Sequence, residues 1–465
     1  MNEKNDNSYL VAKHFFLPPF CKLKGSDDAS NEYYQRKNVF FEEANLSSAK
    51  KIVFRDIYKE EIEKSIYNIQ QVVFEVTEKC NLNCVYCTYG ELYTGNEERQ
   101  RSKRSLRKED AIKLLEYLYP VWNERDQSGV SQQIKIGFYG GEPLMNFPLI
   151  EKVVLWAKKN TTSQLKFRFQ MTTNGLHLGR YIEFLVKNDF IINISFDGNE
   201  ENMSYRLDHK GENCFKQVYS NVMKVKQNYQ DYFEKNVFFI AVLHNKNSLE
   251  QACSFCMSHF NKVPLCSRLN DSGVNPQKRE IFSKMEETVS TKLSKKTKKE
   301  IFLRGLGLNG IKNFIRYYSG FHFYDYNELL FQKEEPEEKK IPTGVCFPFS
   351  KKIYMTINGN LYPCERLDSC FYLGNIHNAK VLDTEQIASL YNQYFSNILP
   401  VCMNCKRTFS CDKCLFCIGG IQEKEPHCNS VMDKDKFNEM VNDMVATCKK
   451  HPDLYRRIMK RTILG

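Results

Sequence analysis

Directly after an apolar, β-branched run, Val72–Thr77, the chain reads Thr77-Glu-Lys-Cys80-Asn-Leu-Asn-Cys84-Val-Tyr86-Cys87, three cysteines at C-x3-C-x2-C spacing with a tyrosine before the third. Three thiolates on so short a loop can ligate three irons of a cubane and leave the fourth iron for an exogenous ligand. A cluster needs that arrangement to bind and reduce a substrate directly. A structural zinc site would have to find its fourth ligand elsewhere. The motif therefore asks for a strand that delivers the loop and for a compartment in which thiols stay reduced.

The chain has 18 cysteines in 465 residues. A second group comprises Cys402, Cys405, Cys411, Cys414, Cys417 and Cys428, with Cys346 and Cys364 ahead of it. The other seven, Cys21, Cys214, Cys253, Cys256, Cys266, Cys370 and Cys448, lie mostly in hydrophobic-periodic stretches and read as small buried hydrophobes. The opening residues MNEKNDNSYLV lack the apolar core of a signal peptide, and the run Val237–Leu243 is too short to span a bilayer. A cytoplasmic location is expected, with no membrane partner, and there clustered cysteines are metal or iron–sulfur ligands rather than disulfides. With 42% hydrophobic and 26% charged residues, collagen-like, coiled-coil and wholly disordered chains are excluded. Lys plus Arg outnumber Asp plus Glu by 67 to 56, an excess that anionic clusters would offset.

From residue 72 to about residue 270 apolar runs alternate with amphipathic stretches, as in a parallel α/β domain. Strands are expected at Val72–Thr77, Ile134–Phe138, Lys166–Thr172, Ile191–Phe196, Val237–Leu243 and near Pro264–Leu269. Helical spacing occupies Ala111–Tyr119, Pro148–Lys159, Tyr181–Asn188, Phe215–Tyr229 and Leu249–His259. Six βα units are too few to close an eight-stranded barrel, so an open, partial (β/α)6 TIM-type barrel is expected, with its chemistry at the C-terminal ends of the strands. The expected organisation is an N-terminal extension (1–70), this core (71–270), a connector (271–340) with a lysine run over Lys292–Lys299, a strand-poor cysteine-rich domain (341–432) and a helical tail (433–465).

The strand ends carry a pattern. Phe138-Tyr-Gly140-Gly141-Glu142-Pro143 ends the second strand, Thr172-Thr-Asn174-Gly175 the third and Ser195-Phe-Asp197-Gly198 the fourth, with Arg206 following. Together with the C-x3-C-x2-C loop, these segments resemble the radical S-adenosylmethionine (SAM) superfamily. The resemblance implies a [4Fe–4S] cluster on Cys80, Cys84 and Cys87 that chelates SAM and, once reduced, cleaves it to methionine and a 5′-deoxyadenosyl radical that abstracts hydrogen from an unactivated carbon. It also implies SAM-binding roles: Tyr86 near the adenine, Gly140, Gly141 and Glu142 towards the amino group, Asn174, Ser195 and Asp197 towards ribose or carboxylate, and Arg206 towards the carboxylate. An external one-electron donor of flavodoxin or ferredoxin type is implied as a partner.

Cys346, twelve residues, Gly359, four residues and Cys364, followed by Cys402-x2-Cys405-x5-Cys411, resemble the SPASM extension of that superfamily. The resemblance implies two auxiliary [4Fe–4S] clusters. The outer one would use Cys402, Cys405, Cys411 and Cys428, and the inner one Cys346 and Cys364 with Cys414, Cys417 or both. The sequence departs from the family pattern at Cys411–Cys417, where Leu415 occupies the place of a cysteine. A zinc ribbon is the alternative for these cysteines, since C-x2-C is zinc spacing as well.

Cys87–Tyr93 and Tyr362–Leu367 look most like maturases of ribosomally made peptides, which act on a precursor peptide to install a crosslink or another modification. An anaerobic sulfatase-maturating enzyme, which forms formylglycine, is the nearest alternative. In that family an Asp after the second SPASM cysteine is the proposed base, and here Glu365 stands in that position as the candidate catalytic carboxylate. A basic zinc- or RNA-binding protein is the alternative of another class, with Arg99, Arg101, Lys103, Arg104, Arg107, Lys108 and the lysine run as phosphate contacts, but aromatic interleaving is weak there. Residues 1–70 are candidates for a leader-peptide-binding element acting by strand addition. Anaerobic reconstitution separates these readings: about 12 irons per chain for three cubanes, about 4 for the core cluster alone and none for a zinc protein.

Overall fold

The computed structural model describes residues 53–93, 104–126, 132–270, 273–286, 294, 297, 323–325, 339–342, 347–450 (without 368, 409, 410, 412 and 424) and 462–464. The expectations for residues 1–52, for most of 271–340 and for Cys346 lie outside them, as does the side chain of Cys417. The chain divides into two compact units, one formed by 58–297 with 346–388 and the other by 1–57, 298–345 and 389–465.

The first unit is built on six parallel strands in sequential order: β1 (Gln71–Thr77), β2 (Gln132–Gly140), β3 (Leu165–Thr173), β4 (Ile191–Ser195), β5 (Val237–Leu243) and β6 (Leu265–Arg268). Helix α1 (Lys59–Tyr67) precedes β1, and α2 (Lys108–Asp126), α3 (Phe147–Lys159), α4 (Leu178–Lys187), α5 (Phe215–Asn228) with α6 (Gln230–Asn236), and α7 (Leu249–Phe260) make the five crossovers. The strands agree with the sequence reading within a residue or two at most ends. Crossover helices cover parallel sheets, which explains why β1 buries six of its seven residues, including Glu75, whose carboxylate accepts from the Tyr89 hydroxyl and the Ile357 amide. In α3, Pro148 sits in the first turn, where it has no hydrogen bond to lose, and Leu149, Ile150, Val153, Val154 and Ala157 form the buried stripe.

Phenylalanines fill the space between strands and helices. Phe190 is fully buried, with ring centroids 5.1 Å from Phe169 and 5.8 Å from Phe138, while Phe239 stacks on Phe260 of α7 at 4.5 Å.

Three short strands extend this sheet beyond β1. β7 (Ile353–Met355) runs parallel to β1, pairing Ile353 with Val72, and β8 (Asn360–Tyr362) and β9 (Gly374–Asn375) follow antiparallel, giving nine strands in the order β9-β8-β7-β1-β2-β3-β4-β5-β6. The segment expected to be strand-poor thus supplies strands to the core sheet, and residues 346–388 cluster with the core's unit. Three-residue strands buried on every residue carry no alternation to read. Gly359, at φ +79°, makes the β7–β8 turn, where a Cβ would lie 2.6 Å from the Ile376 side chain. Helix α8 (Arg279–Glu286), from the stretch read as connector, also belongs to this unit and buries Phe282 and Met285 against Tyr86, Leu92 and Leu269.

In the second unit Val53–Phe54 pairs in parallel with Lys339–Lys340, and Ile57 exchanges two backbone bonds with the Asn392 amide. Asn392 lies on α9 (Thr384–Met403), which begins in the first unit and continues here. Its Tyr391 and Tyr394 pack edge-on against Phe416. The tail forms α10 (Lys434–Lys450). No helix among the described residues is long and apolar enough to cross a membrane.

Phe190→Ala, which empties the centre of the aromatic cluster, is expected to lower unfolding free energy by about 3–5 kcal/mol, measured as a shift in the denaturant midpoint.

Candidate active site

The cysteine loop leaves β1 through a dense set of bonds. The Thr77 hydroxyl donates to the Arg104 carbonyl at 2.9 Å and accepts from the Lys79 amide, and Glu78, 1% exposed, receives a two-pronged contact from the Arg104 guanidinium at 2.9 and 3.1 Å. From the other side the Gly141 amide donates to the Thr77 carbonyl (2.7 Å) and the Glu142 amide to that of Lys79 (2.8 Å). A Cβ on Gly140 would lie 2.5 Å from the Thr77 oxygen, and one on Gly141 would lie 2.2 Å from that of Lys79. The two glycines therefore let the bend after β2 grip the base of the cysteine loop. Further along, the Asn83 and Val85 amides donate to the carbonyls of Leu207 and Tyr205.

Cys80, Cys84 and Cys87 are half-buried and form no disulfide. Cys80 Sγ accepts from the Leu82 amide at 3.4 Å and from Asn174 Nδ2 at 3.7 Å. Burial pushes the Cys84 thiol well up, the positive Arg206 opposes this, and the neighbouring thiols of Cys87 and Cys80 add to it. Among the described residues no three His, Cys, Asp or Glu side chains converge on one metal ion. A cubane asks for something else, one thiolate on each of three irons with donors to the sulfurs, and the loop supplies both.

Behind the loop lies a buried network. Asp197, at the end of β4, accepts from Arg206 Nε at 2.8 Å and Nη2 at 3.0 Å, from the Val242 amide at 2.9 Å and from the Tyr86 hydroxyl. His244 Nε2 is 3.9 Å away, with its ring packed on Tyr86 and Tyr205. Burial works against the charge on Asp197, but Arg206, His244 and Tyr86 together hold its carboxyl down at about 2. Arg206 also lies over the Tyr86 ring, 5.4 Å from its centre.

Glu142, read from sequence as the acceptor for the SAM amino group, is fully buried. It accepts from the Thr173 hydroxyl (2.8 Å) and the Asn174 amide (2.8 Å) of β3's end and from the Leu144 amide (3.2 Å). Burial pushes its carboxyl up to about 7 against these three bonds. Asn174 continues to the cysteine loop, donating to Asn81 Oδ1 at 2.7 Å. Here Glu142 and Asn174 position the ends of β2 and β3 relative to Cys80.

A cavity of about 520 Å³ occupies the barrel, within the range of cofactor sites. Tyr86, Ser195, Arg206 and Glu365 are on its wall, whereas Gly140, Gly141, Glu142, Asn174 and Asp197 are not among the residues that line it. Glu365 is held by Lys352 Nζ at 2.9 and 3.1 Å and accepts from the Cys364 thiol at 3.5 Å. Although burial opposes it, Lys352 keeps the Glu365 carboxyl below the ordinary range, and burial raises Cys364 to about 11. Sequence reasoning missed His244, Lys352 and Arg268. His244 and Arg268 sit at the ends of β5 and β6, where the strand-end rule that found Asp197 would have found them.

In the second unit Cys402, Cys405, Cys411 and Cys428 line one small cavity together with Thr408, and the Met432 amide donates to Cys405 Sγ at 3.4 Å. Cys414 is not on that wall. Of the basic cluster weighed as a phosphate site, Arg104 is engaged by Glu78 and Arg107 by Asp110, while Arg99, Arg101 and Lys103 lie outside the described residues.

Residues 74–256, from β1 to α7, match the model of the radical SAM superfamily. The chain is a radical SAM enzyme. Over 451 residues it is 24% identical to the radical SAM cyclopropyl synthase TigE of Paramaledivibacter caminithermalis, covering 94% of this chain and 83% of that one. It is 23% identical over 376 residues to a cysteine-type anaerobic sulfatase-maturating enzyme of Clostridium novyi, covering 77% of this chain and 90% of that one. A solved structure of native anSMEcpe with bound AdoMet and Cp18Cys peptide superposes with a TM-score of 0.54 at 18% identity, over 83% of this chain and 98% of the other, and shows the shared fold. Family membership brings a [4Fe–4S] cluster and SAM to this radical SAM enzyme.

Asp197→Asn would leave the Arg206 charge buried and unpaired, and is expected to destabilise the apo-protein by about 3–5 kcal/mol. Because Asp197's carboxyl is depressed on folding, its contribution is complete above about pH 4 and is lost as the pH falls towards 2. The variant's unfolding midpoint should fall less steeply over that interval than the wild type's.

Proposed function

We propose that this enzyme is a peptide maturase that abstracts hydrogen from a ribosomally made precursor and installs a crosslink or another modification. The observation that carries the reading is the single cavity shared by the strand ends and residues 352–367. It places a carboxylate–lysine pair, Glu365 with Lys352, on the same wall as Tyr86, Ser195 and Arg206, leaving room for a substrate side chain beside a cofactor. Similarity to the cyclopropyl synthase along nearly the whole chain supports it.

In this reading Cys80, Cys84 and Cys87 hold the cluster. When bound, the cluster and SAM supply an electron and a 5′-deoxyadenosyl radical. Tyr86 is steadied by Asp197 through its hydroxyl and by Arg206 over its ring, and would lie near the adenine. Ser195 and Arg206 offer polar groups to the ribose and carboxylate. The grip of Gly140–Glu142 on residues 77–79 and the Asn174–Asn81 bond keep the sulfurs from drifting relative to β2 and β3. Glu365, kept ionised by Lys352, is the candidate base that takes a proton from the substrate once hydrogen has been removed.

Two auxiliary clusters complete the proposal. Cys402, Cys405, Cys411 and Cys428 share one cavity and serve the outer cluster, and by the sequence pattern Cys346 and Cys364 with Cys414, Cys417 or both serve the inner one. The partners are the precursor peptide, engaged in part by residues 1–70, and an external one-electron donor of flavodoxin or ferredoxin type, in the cytoplasm. Formylglycine formation is the second reading, supported by the sulfatase-maturating relative and weakened by Glu365, a longer side chain where that family has Asp.

Anaerobic enzyme reduced with dithionite in the presence of SAM should form 5′-deoxyadenosine. Alanine at Cys80, Cys84 and Cys87 should abolish this, while alanine at Cys402 and Cys405 should spare part of it. Mass spectrometry of a short peptide encoded beside the gene, against a sulfatase-derived cysteine peptide, separates the two readings. Conversion of the latter alone to an aldehyde would replace the first reading with the second.

A further inference from the structure

The cavity wall carries more positive charge than the site accounts for. Arg206 is engaged by Asp197 and Lys352 by Glu365. Two more cations line the same cavity: Arg268, which ends β6, and Arg366, next to Glu365. Both are exposed, and neither guanidinium makes a hydrogen bond or ion pair with the described residues.

Their placement follows from the open barrel. β6 is one edge of the sheet, and Arg366 follows β8 in the strands added beyond β1, towards the other edge. A closed barrel would join these edges by hydrogen bonds. Here the terminal strands are not paired with each other, and both arginines line one cavity large enough to admit a side chain of an extended peptide. A guanidinium presents a planar fork that matches a carboxylate with two parallel bonds, and in a walled site such bonds are stronger than at an open surface.

We propose that Arg268 and Arg366 recognise a carboxylate on the substrate, the side chain of an Asp or Glu flanking the residue that is modified. This rests on the peptide-maturase reading and adds to it a charge requirement on the peptide.

The test uses the reconstituted holoenzyme with SAM and two labelled heptapeptides that share a central Cys and differ only in carrying Asp or Asn on both sides of it. Binding is followed by fluorescence anisotropy, and succinate binding by calorimetry. The acidic peptide is expected to bind about tenfold or more tightly than the amide peptide. R268Q/R366Q should erase the difference, and R268K/R366K, which keeps charge but loses the fork, should retain part of it. Equal affinity for the two peptides in the wild type overturns the inference and leaves the peptide reading standing. Arginine-dependent binding of succinate with no binding of either peptide upholds carboxylate recognition and removes the peptide reading. Weaker SAM binding by R268Q/R366Q, measured separately, would assign the arginines to SAM's own carboxylate and overturn the proposal, as would failure of both succinate and the acidic peptide to bind.

Discussion

A single carboxylate joins the parts of the core that must not move relative to one another. Asp197 ends β4, takes both prongs of Arg206 from the segment after it, accepts the Val242 amide of β5 and holds the Tyr86 hydroxyl of the cysteine loop. Burying a charge is costly unless it is paired and its lone pairs are filled, and here four donors fill them. The arrangement is stable only as a set, so removing one member leaves the others charged or unsatisfied in a dry interior.

Around that anchor the two faces of the cysteine loop are held by different devices. On the β2 side the contacts are backbone to backbone and depend on the missing side chains of Gly140 and Gly141, because any Cβ would collide with the Thr77 or Lys79 carbonyl. Beyond the loop the residues after Cys87 are held by packing, with Leu92 and Tyr86 against Leu269, Phe282 and Met285. Loop position therefore depends on β1, β2, β3, β4 and α8 together. The same strands and the 352–367 segment enclose the cavity, so the group that would abstract hydrogen and the carboxylate that would accept a proton share one wall.

Much of this was legible in the chain. The six parallel strands announce themselves as apolar runs at regular intervals, and the C-x3-C-x2-C loop identifies its own chemistry by spacing. The set Cys402, Cys405, Cys411 and Cys428 was separable from Cys414 by resemblance, and it is the set that shares one cavity. β7–β9 were not legible, because strands of two or three residues have no period and take their place by pairing, β7 with β1, β8 with β7 and β9 with β8. His244 lay within reach of the strand-end rule, but its role did not, since only the fold packs its ring on Tyr86 and Tyr205.

The sequence by itself determined the six-stranded parallel core, because periodicity reports which faces are buried, and the resemblance of its motifs implied the class of chemistry. Only the tertiary structure decided which polar residues line the cavity and which do not. Asp197, Glu142 and Asn174 look like ligand contacts in one dimension, yet each spends its hydrogen bonds on neighbouring strand ends or loops brought close by folding. Whether a carboxylate faces a ligand or an arginine depends on distances between residues far apart in the chain, and sequence spacing carries no record of those distances.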